Sequence, residues 1–143
     1  MVSEVMVDPL TVANELRPVL LRLARELRRE TEQVGITARQ ATLLWLIRTN
    51  PGLSLRELAQ WERISAPALS GHVDRLEKAG LIERVRSEQD RRRVGLALTA
   101  EGEGLLRRVR ARRTTWLADR LRGLADEDVA AVAAAIEPLA RLL

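Results

Sequence analysis

The chain has 143 residues, the size of one domain or of a subunit whose core a partner completes. It is 46% hydrophobic and 31% charged, with no cysteine and one histidine; this excludes disulfides, thiol redox chemistry, iron–sulfur clusters, cysteine zinc sites and multi-histidine metal sites. The formal charge is +4, and Lys78 is the only lysine among 24 basic residues; net charge alone is a weak pointer to nucleic acid, and its distribution says more.

No apolar run is long enough to span a bilayer, and MVSEVMVDPL has acids where a signal peptide needs a basic and then an apolar region. A cytoplasmic location with no membrane contact is therefore expected. Asp8-Pro9 reads as an N-cap followed by Pro at the first helical position. The helix should run to about Gln33, with Leu16, Leu20, Leu23, Ala24 and Leu27 on one stripe. Pro18 inside it predicts a kink or a later start, and Gly35 ends it. Thr37-Ala-Arg-Gln40 is a capping box that opens a second helix at Ala38. Its LLWLI stretch, Leu43 to Ile47, is apolar all round, as in a helix buried between others. Asn50-Pro51-Gly52 is a stop and turn.

Ser54-Leu-Arg-Glu57 is a second capping box, and Leu55, Leu58 and Ala59 should face inward from the short helix it opens. Ser65 caps another helix, with Pro67 in its first turn and Gly80 as its stop. Two short helices joined by a tight turn around Glu62 and Arg63 make a helix-turn-helix pattern. The period then changes. Leu81 to Val85 and Val94 to Leu98 read as strands, joined by a charged tip from Arg86 to Arg93. Thr99 caps a long helix to about Gly123, and Asp126-Glu-Asp128 opens a last, alanine-rich helix with acids at the positive end of its dipole. The expected fold is mainly α: a winged helix-turn-helix over residues 37–98 with a two-stranded β wing. N- and C-terminal helices, residues 1–36 and 99–143, carry apolar stripes that a monomer would struggle to cover, and are expected to form a helical dimerisation region intertwined with it.

A winged helix places the second helix of its pair in the major groove and can reach the minor groove with the wing. At about 100° per residue, Leu69, Val73 and Leu76 share the core stripe. The opposite arc holds Pro67, Gly71, Asp74, Arg75 and Lys78, flanked by Ala68 and Ser70. Small residues let the helix sink into the groove, and Ser70 can hydrogen-bond a base edge. His72 falls beside the core stripe and reads as a partly buried structural histidine. Three arginines in a row at a hairpin tip, Arg91, Arg92 and Arg93, favour phosphate or minor-groove contact. The candidate DNA-binding residues are thus Ser65, Pro67, Ala68, Ser70, Gly71, Arg75 and Lys78 on the helix, with Arg91, Arg92 and Arg93 in the wing.

The string GLIERVRSEQDRRRVGLALTAEG, Gly80 to Gly102, closely resembles the wing signature of MarR-type bacterial transcription regulators. Asp90, Arg92, Leu96, Leu98 and Thr99 meet its core pattern. ITARQATLLWLI, PGLSLRELA and ISAPALSGHVDRLEKAGLI are similar to that family in order and spacing, so the resemblance covers nearly the whole chain. It implies a homodimer whose first helix and last two helices interlock with their symmetry mates. It implies that Arg92 enters the minor groove and that Asp90 braces the wing tip by pairing with an arginine. It also implies a dimeric, sequence-specific regulator of double-stranded DNA, a repressor released by a small aromatic or lipophilic effector, reading an inverted-repeat operator. Trp45, facing a second surface of its helix, could line the effector pocket or serve as a core or interface tryptophan. Trp61 is expected in the core, and Trp116 in dimer packing.

The chain departs from the family in two places. Many members carry arginine where Gly71 stands, so bidentate guanine recognition from that position is not available. The turn between the paired helices carries Arg63 where related regulators often have glycine. Two other readings stay open: a ligand-independent architectural DNA-binding protein, and a winged helix used only for protein contacts, against which the arginine tip argues. No nucleophile motif, phosphate loop or acid–base pair speaks for an enzyme, so no catalytic, cofactor or metal residue is expected.

Overall fold

The computed structural model describes residues 7–90 and 92–143. The order is α1 (Pro9–Glu32), α2 (Ala38–Thr49), α3 (Leu55–Glu62), α4 (Ala66–Lys78), β1 (Ile82–Arg86), β2 (Val94–Leu98), α5 (Ala100–Arg122) and α6 (Asp126–Ala140). β1 and β2 pair antiparallel from Ile82 opposite Leu98 to Arg86 opposite Val94. The fold is a mainly helical winged helix-turn-helix with a two-stranded wing. β1 starts one residue later than its apolar run suggests and extends through Arg86, because that residue still has a ladder partner in Val94.

Side-chain caps set most helix starts, as the polar residues before each apolar run require. Asp8, Thr37, Ser54, Ser65 and Thr99 each accept a backbone N–H from the first turn of the helix they precede. Thr37 and Gln40 complete a reciprocal capping box. α1 runs unbroken through Pro18, so the helix neither ends nor begins there.

One core joins α2 to β2 and the start of α5. Leu43, Leu44, Ile47, Leu58, Leu69, Val73, Leu76, Ile82, Leu96 and Leu106 are buried in it. The first turns of α5 therefore belong to the same packed body as the helix-turn-helix. One tryptophan departs from expectation. Trp61 is 51% exposed. α3 is only 8 residues long, and its left-handed end at Arg63 turns Ile64 back against the core instead. Trp45 is 47% exposed although Leu43, Leu44 and Ile47 around it are buried. The LLWLI helix is thus covered on two sides and open on a third.

The outer helices are largely uncovered. The end of α1 is fastened to α5 by Arg112, whose guanidinium pairs with Glu30 at 3.0 Å, and by Arg113, which donates to the buried Thr31 hydroxyl at 2.8 Å. Toward its start, Leu10, Val12, Val19, Leu20, Leu21 and Leu23 are exposed. α6 buries none of its residues, and Val132 and Ile136 lie open.

Candidate nucleic-acid interface

α4 buries Leu69, Val73 and Leu76 and turns the opposite arc to solvent. Pro67, Ala68, Asp74, Arg75 and Lys78 are exposed, while Ser70, Gly71 and His72 are half-buried. Ser65 is committed to the helix start, where its hydroxyl oxygen accepts the Ala68 N–H at 3.3 Å. Arg75 folds back along the helix, and its Nε donates to the Gly71 carbonyl at 3.1 Å. His72 has its basicity lowered below the usual histidine value by burial, and further by the positive charges of Arg75 and Arg39.

The acids on the exposed arc of α4 are paired. Arg84, on β1, reaches both Asp74 at 3.1 Å and Glu77 at 2.8 Å. One guanidinium thus fastens the wing to the helix and neutralises two carboxylates on its exposed arc. Arg75, Lys78, Arg92 and Arg93 enter no ion pair among the described residues. Sequence reasoning missed Arg84. The signal was available in two acids on the helix face and a basic residue on the strand that follows the Gly80 stop.

At the wing tip the Asp90 side chain accepts the Arg92 backbone N–H at 3.1 Å, and its carbonyl accepts the Arg93 N–H at 2.9 Å. The Ser87 hydroxyl accepts the Asp90 N–H. Asp90 thus holds the tip's backbone, and among the described residues its carboxylate enters no ion pair with an arginine. Arg92 and Arg93 are exposed; Arg91 lies outside the described residues.

The wing's base is fixed by close backbone packing that sequence reasoning also missed. The Leu96 N–H donates to the Leu53 carbonyl at 3.2 Å, so the loop before α3 borders β2 as a third strand would. There Gly95 meets Gly52 so closely that a Cβ on Gly95 would lie 2.9 Å from the Gly52 Cα. Gly102 is tighter still: a Cβ would sit 2.0 Å from the Leu81 carbonyl oxygen. Next to it, the Thr99 hydroxyl donates to the Gly80 carbonyl and accepts the Gly102 N–H. The Thr-x-x-Gly of the wing signature is therefore a joint between wing and α5.

An open cleft between the wing and the end of α2 is lined by Arg48, Pro51, Val85, Arg93 and Glu103, among others. A more apolar one lies at the elbow of α3 and α4, beside Leu55, Ala59, Ile64 and Ser70. Trp45 lines neither. Among the described residues, no group of three His, Asp or Glu side chains could hold a metal ion, and no helix is long and apolar enough to cross a membrane.

Comparison with known proteins gives a consistent picture. The model described as the MarR family matches residues 36–94, from the start of α2 into β2. The HTH-type transcriptional regulator FarR of Neisseria gonorrhoeae is 44% identical over 73 residues, 51% of this chain and about half (50%) of that relative's length. The HTH-type transcriptional repressor MdtR of Bacillus subtilis is 29% identical over 114 residues, covering 80% of this chain and 74% of MdtR. Among solved structures, RV1404 from Mycobacterium tuberculosis superposes with a TM-score of 0.82 at 25% identity, covering 97% of each chain. A Staphylococcus aureus MepR mutant bound to an oligodeoxyribonucleotide shares the fold, with a TM-score of 0.71 at 22% identity over 92% of this chain and 97% of that one.

Proposed function

We propose that this chain is a MarR-type regulator, as the family model over residues 36–94 and the similarity to FarR and MdtR support, and that it is a dimeric, sequence-specific DNA-binding transcriptional regulator, a repressor released by a small organic ligand. One observation carries the DNA-binding part. Arg84 neutralises Asp74 and Glu77 and leaves Arg75 and Lys78 on α4 with no ion-pair partner among the described residues, on a helix tied to an arginine-tipped wing. Such a surface suits a DNA groove and the phosphates that flank it.

The dimer is supported by the exposed apolar residues of α1 and α6, which a second copy would cover. Two α4 helices related by a twofold axis would read inverted half-sites about one DNA turn apart. With no cysteine and one histidine, thiol oxidation and a histidine-rich zinc site are not available as switches in this chain. A releasing molecule must favour the non-binding spacing of the two heads, since equal affinity for both spacings shifts nothing. The open face of α2 at Trp45 suits an apolar, aromatic compound.

Duplex binding measured across a salt series tests the reading. The parent should lose affinity steeply as salt rises. Arg92→Ala should weaken operator binding by about 1–3 kcal/mol with the dimer intact. Equal affinity of parent and variant would sink the wing assignment. An effector should quench tryptophan fluorescence and release DNA over the same concentrations, and Trp45→Ala should weaken it; unchanged affinity would place the pocket elsewhere.

A further inference from the structure

The outer face of α4 has no side chain at its centre, where Gly71 stands. The structure fills that gap from the next turn. Helical side chains lean toward the N-terminus, and Arg75 leans back far enough for its Nε to donate to the Gly71 carbonyl at 3.1 Å. Its Nη2 lies 3.4 Å from where a Cβ on residue 71 would be. The guanidinium thus lies over the vacant position and is held there through Nε. Both terminal amino groups are left without a hydrogen-bond acceptor among the described residues. Nor do neighbouring carboxylates claim them, because Arg84 holds Asp74 and Glu77.

Resting on the DNA-reading function proposed above, we propose that Arg75 reads a guanine in each half-site and that Gly71 is the specificity-determining residue that lets it do so. An arginine fork matches the O6 and N7 acceptors of guanine in the major groove, and back-bonding through Nε presents Nη1 and Nη2 as that fork. A bulky residue at 71 would claim the space and push the guanidinium toward the phosphates, where contact carries no sequence information.

Selection from random duplexes tests this, using the parent, Arg75→Ala, Arg75→Lys, Gly71→Ala, Gly71→Leu and the double variant Gly71→Leu/Arg75→Ala, each checked for folding by its thermal melt. The parent's motif should hold a guanine in each half-site whose replacement costs roughly 5- to 150-fold in affinity. Arg75→Ala should erase that preference and leave the other positions of the motif intact. Arg75→Lys, which keeps the charge and loses the fork, should also erase it while retaining more affinity. Gly71→Leu should erase it without touching Arg75, and the double variant should be no worse than either single change. Gly71→Ala, whose Cβ makes only ordinary contact, should keep the guanine. If Arg75→Ala weakened all sequences alike and left the guanine preference, Arg75 would be a phosphate contact and the inference would fall. Multiplying losses in the double variant would overturn the role of Gly71. Should Gly71→Leu fail to fold, the two Arg75 variants still decide the reading of guanine. A parent motif without the guanine overturns this inference alone, whereas a parent that enriches no sequence overturns the DNA-reading function itself.

Discussion

Arg63 occupies the left-handed region at φ 52° and ψ 42°, the one described non-glycine residue with positive φ. Its N–H and that of Ile64 close the end of α3 on carbonyls of Ala59 and Gln60, a Schellman-type ending that favours glycine. An L-residue there is strained by about 1–2 kcal/mol, part of which glycine returns through a freer unfolded chain. Arg63→Gly should therefore stabilise the protein by about 0.5–1 kcal/mol in chemical denaturation. A loss of stability would mean that the arginine side chain makes a contact worth more than the strain. His72 offers a second test. Its folded form resists protonation because of burial and two nearby arginines. Its contribution to stability is therefore fully present above the unfolded value near 6.5 and is lost as pH falls through the lower folded value. Melting temperature should drop as pH is lowered from about 7.5 through the histidine range, and His72→Gln should flatten that part of the profile. An identical slope in the variant would assign it to other groups.

At the scale of elements, the wing and α4 are joined by Arg84, which pairs with Asp74 and Glu77. Removing it should cost little stability, since partly exposed ion pairs contribute about 0–1 kcal/mol. DNA binding should suffer more, by on the order of 1–2 kcal/mol at low salt, as two carboxylates are uncovered near phosphate. Arg84→Ala combined with Asp74→Asn and Glu77→Gln should recover much of that loss. Failure to recover it would mean that Arg84 touches DNA directly or sets the wing's angle. Element order and most helix starts were legible in the sequence because capping is local: Thr37, Ser54, Ser65 and Thr99 announce their helices within four residues. The core stripe of α4 was legible for the same reason, since Leu69, Val73 and Leu76 follow helical spacing. What stayed hidden is non-local. The approach of Gly95 to Gly52 and of Gly102 to the Leu81 carbonyl depends on chain segments meeting in space. Trp61 misled because periodicity assigns a side chain to a stripe without saying where the neighbouring element stops.

For the whole molecule, the decisive asymmetry is between a well-packed head and outer helices with little to pack on. The core reaches from Ala41 to Val109, and α6 adds no buried residue to it. Removing residues 126–143 should therefore abolish the proposed dimer, seen as a halved mass in sedimentation or as aggregation, and with it tight binding to a two-half-site duplex. A truncated monomer that still bound such a duplex tightly would contradict the proposed assembly.

The open faces of α1 and α6 carry a genetic consequence as well. If each working unit needs two copies, a cell that makes intact and damaged chains together mixes them at random. A variant that spoils only the wing, such as Arg92→Ala, keeps its pairing helices and enters those units freely. At equal expression only about a quarter of the dimers would then carry two sound wings. Such an allele would behave as dominant, silencing regulation in the presence of a normal gene. A chain lacking α6 would be recessive, because it has lost the means of meeting its partner.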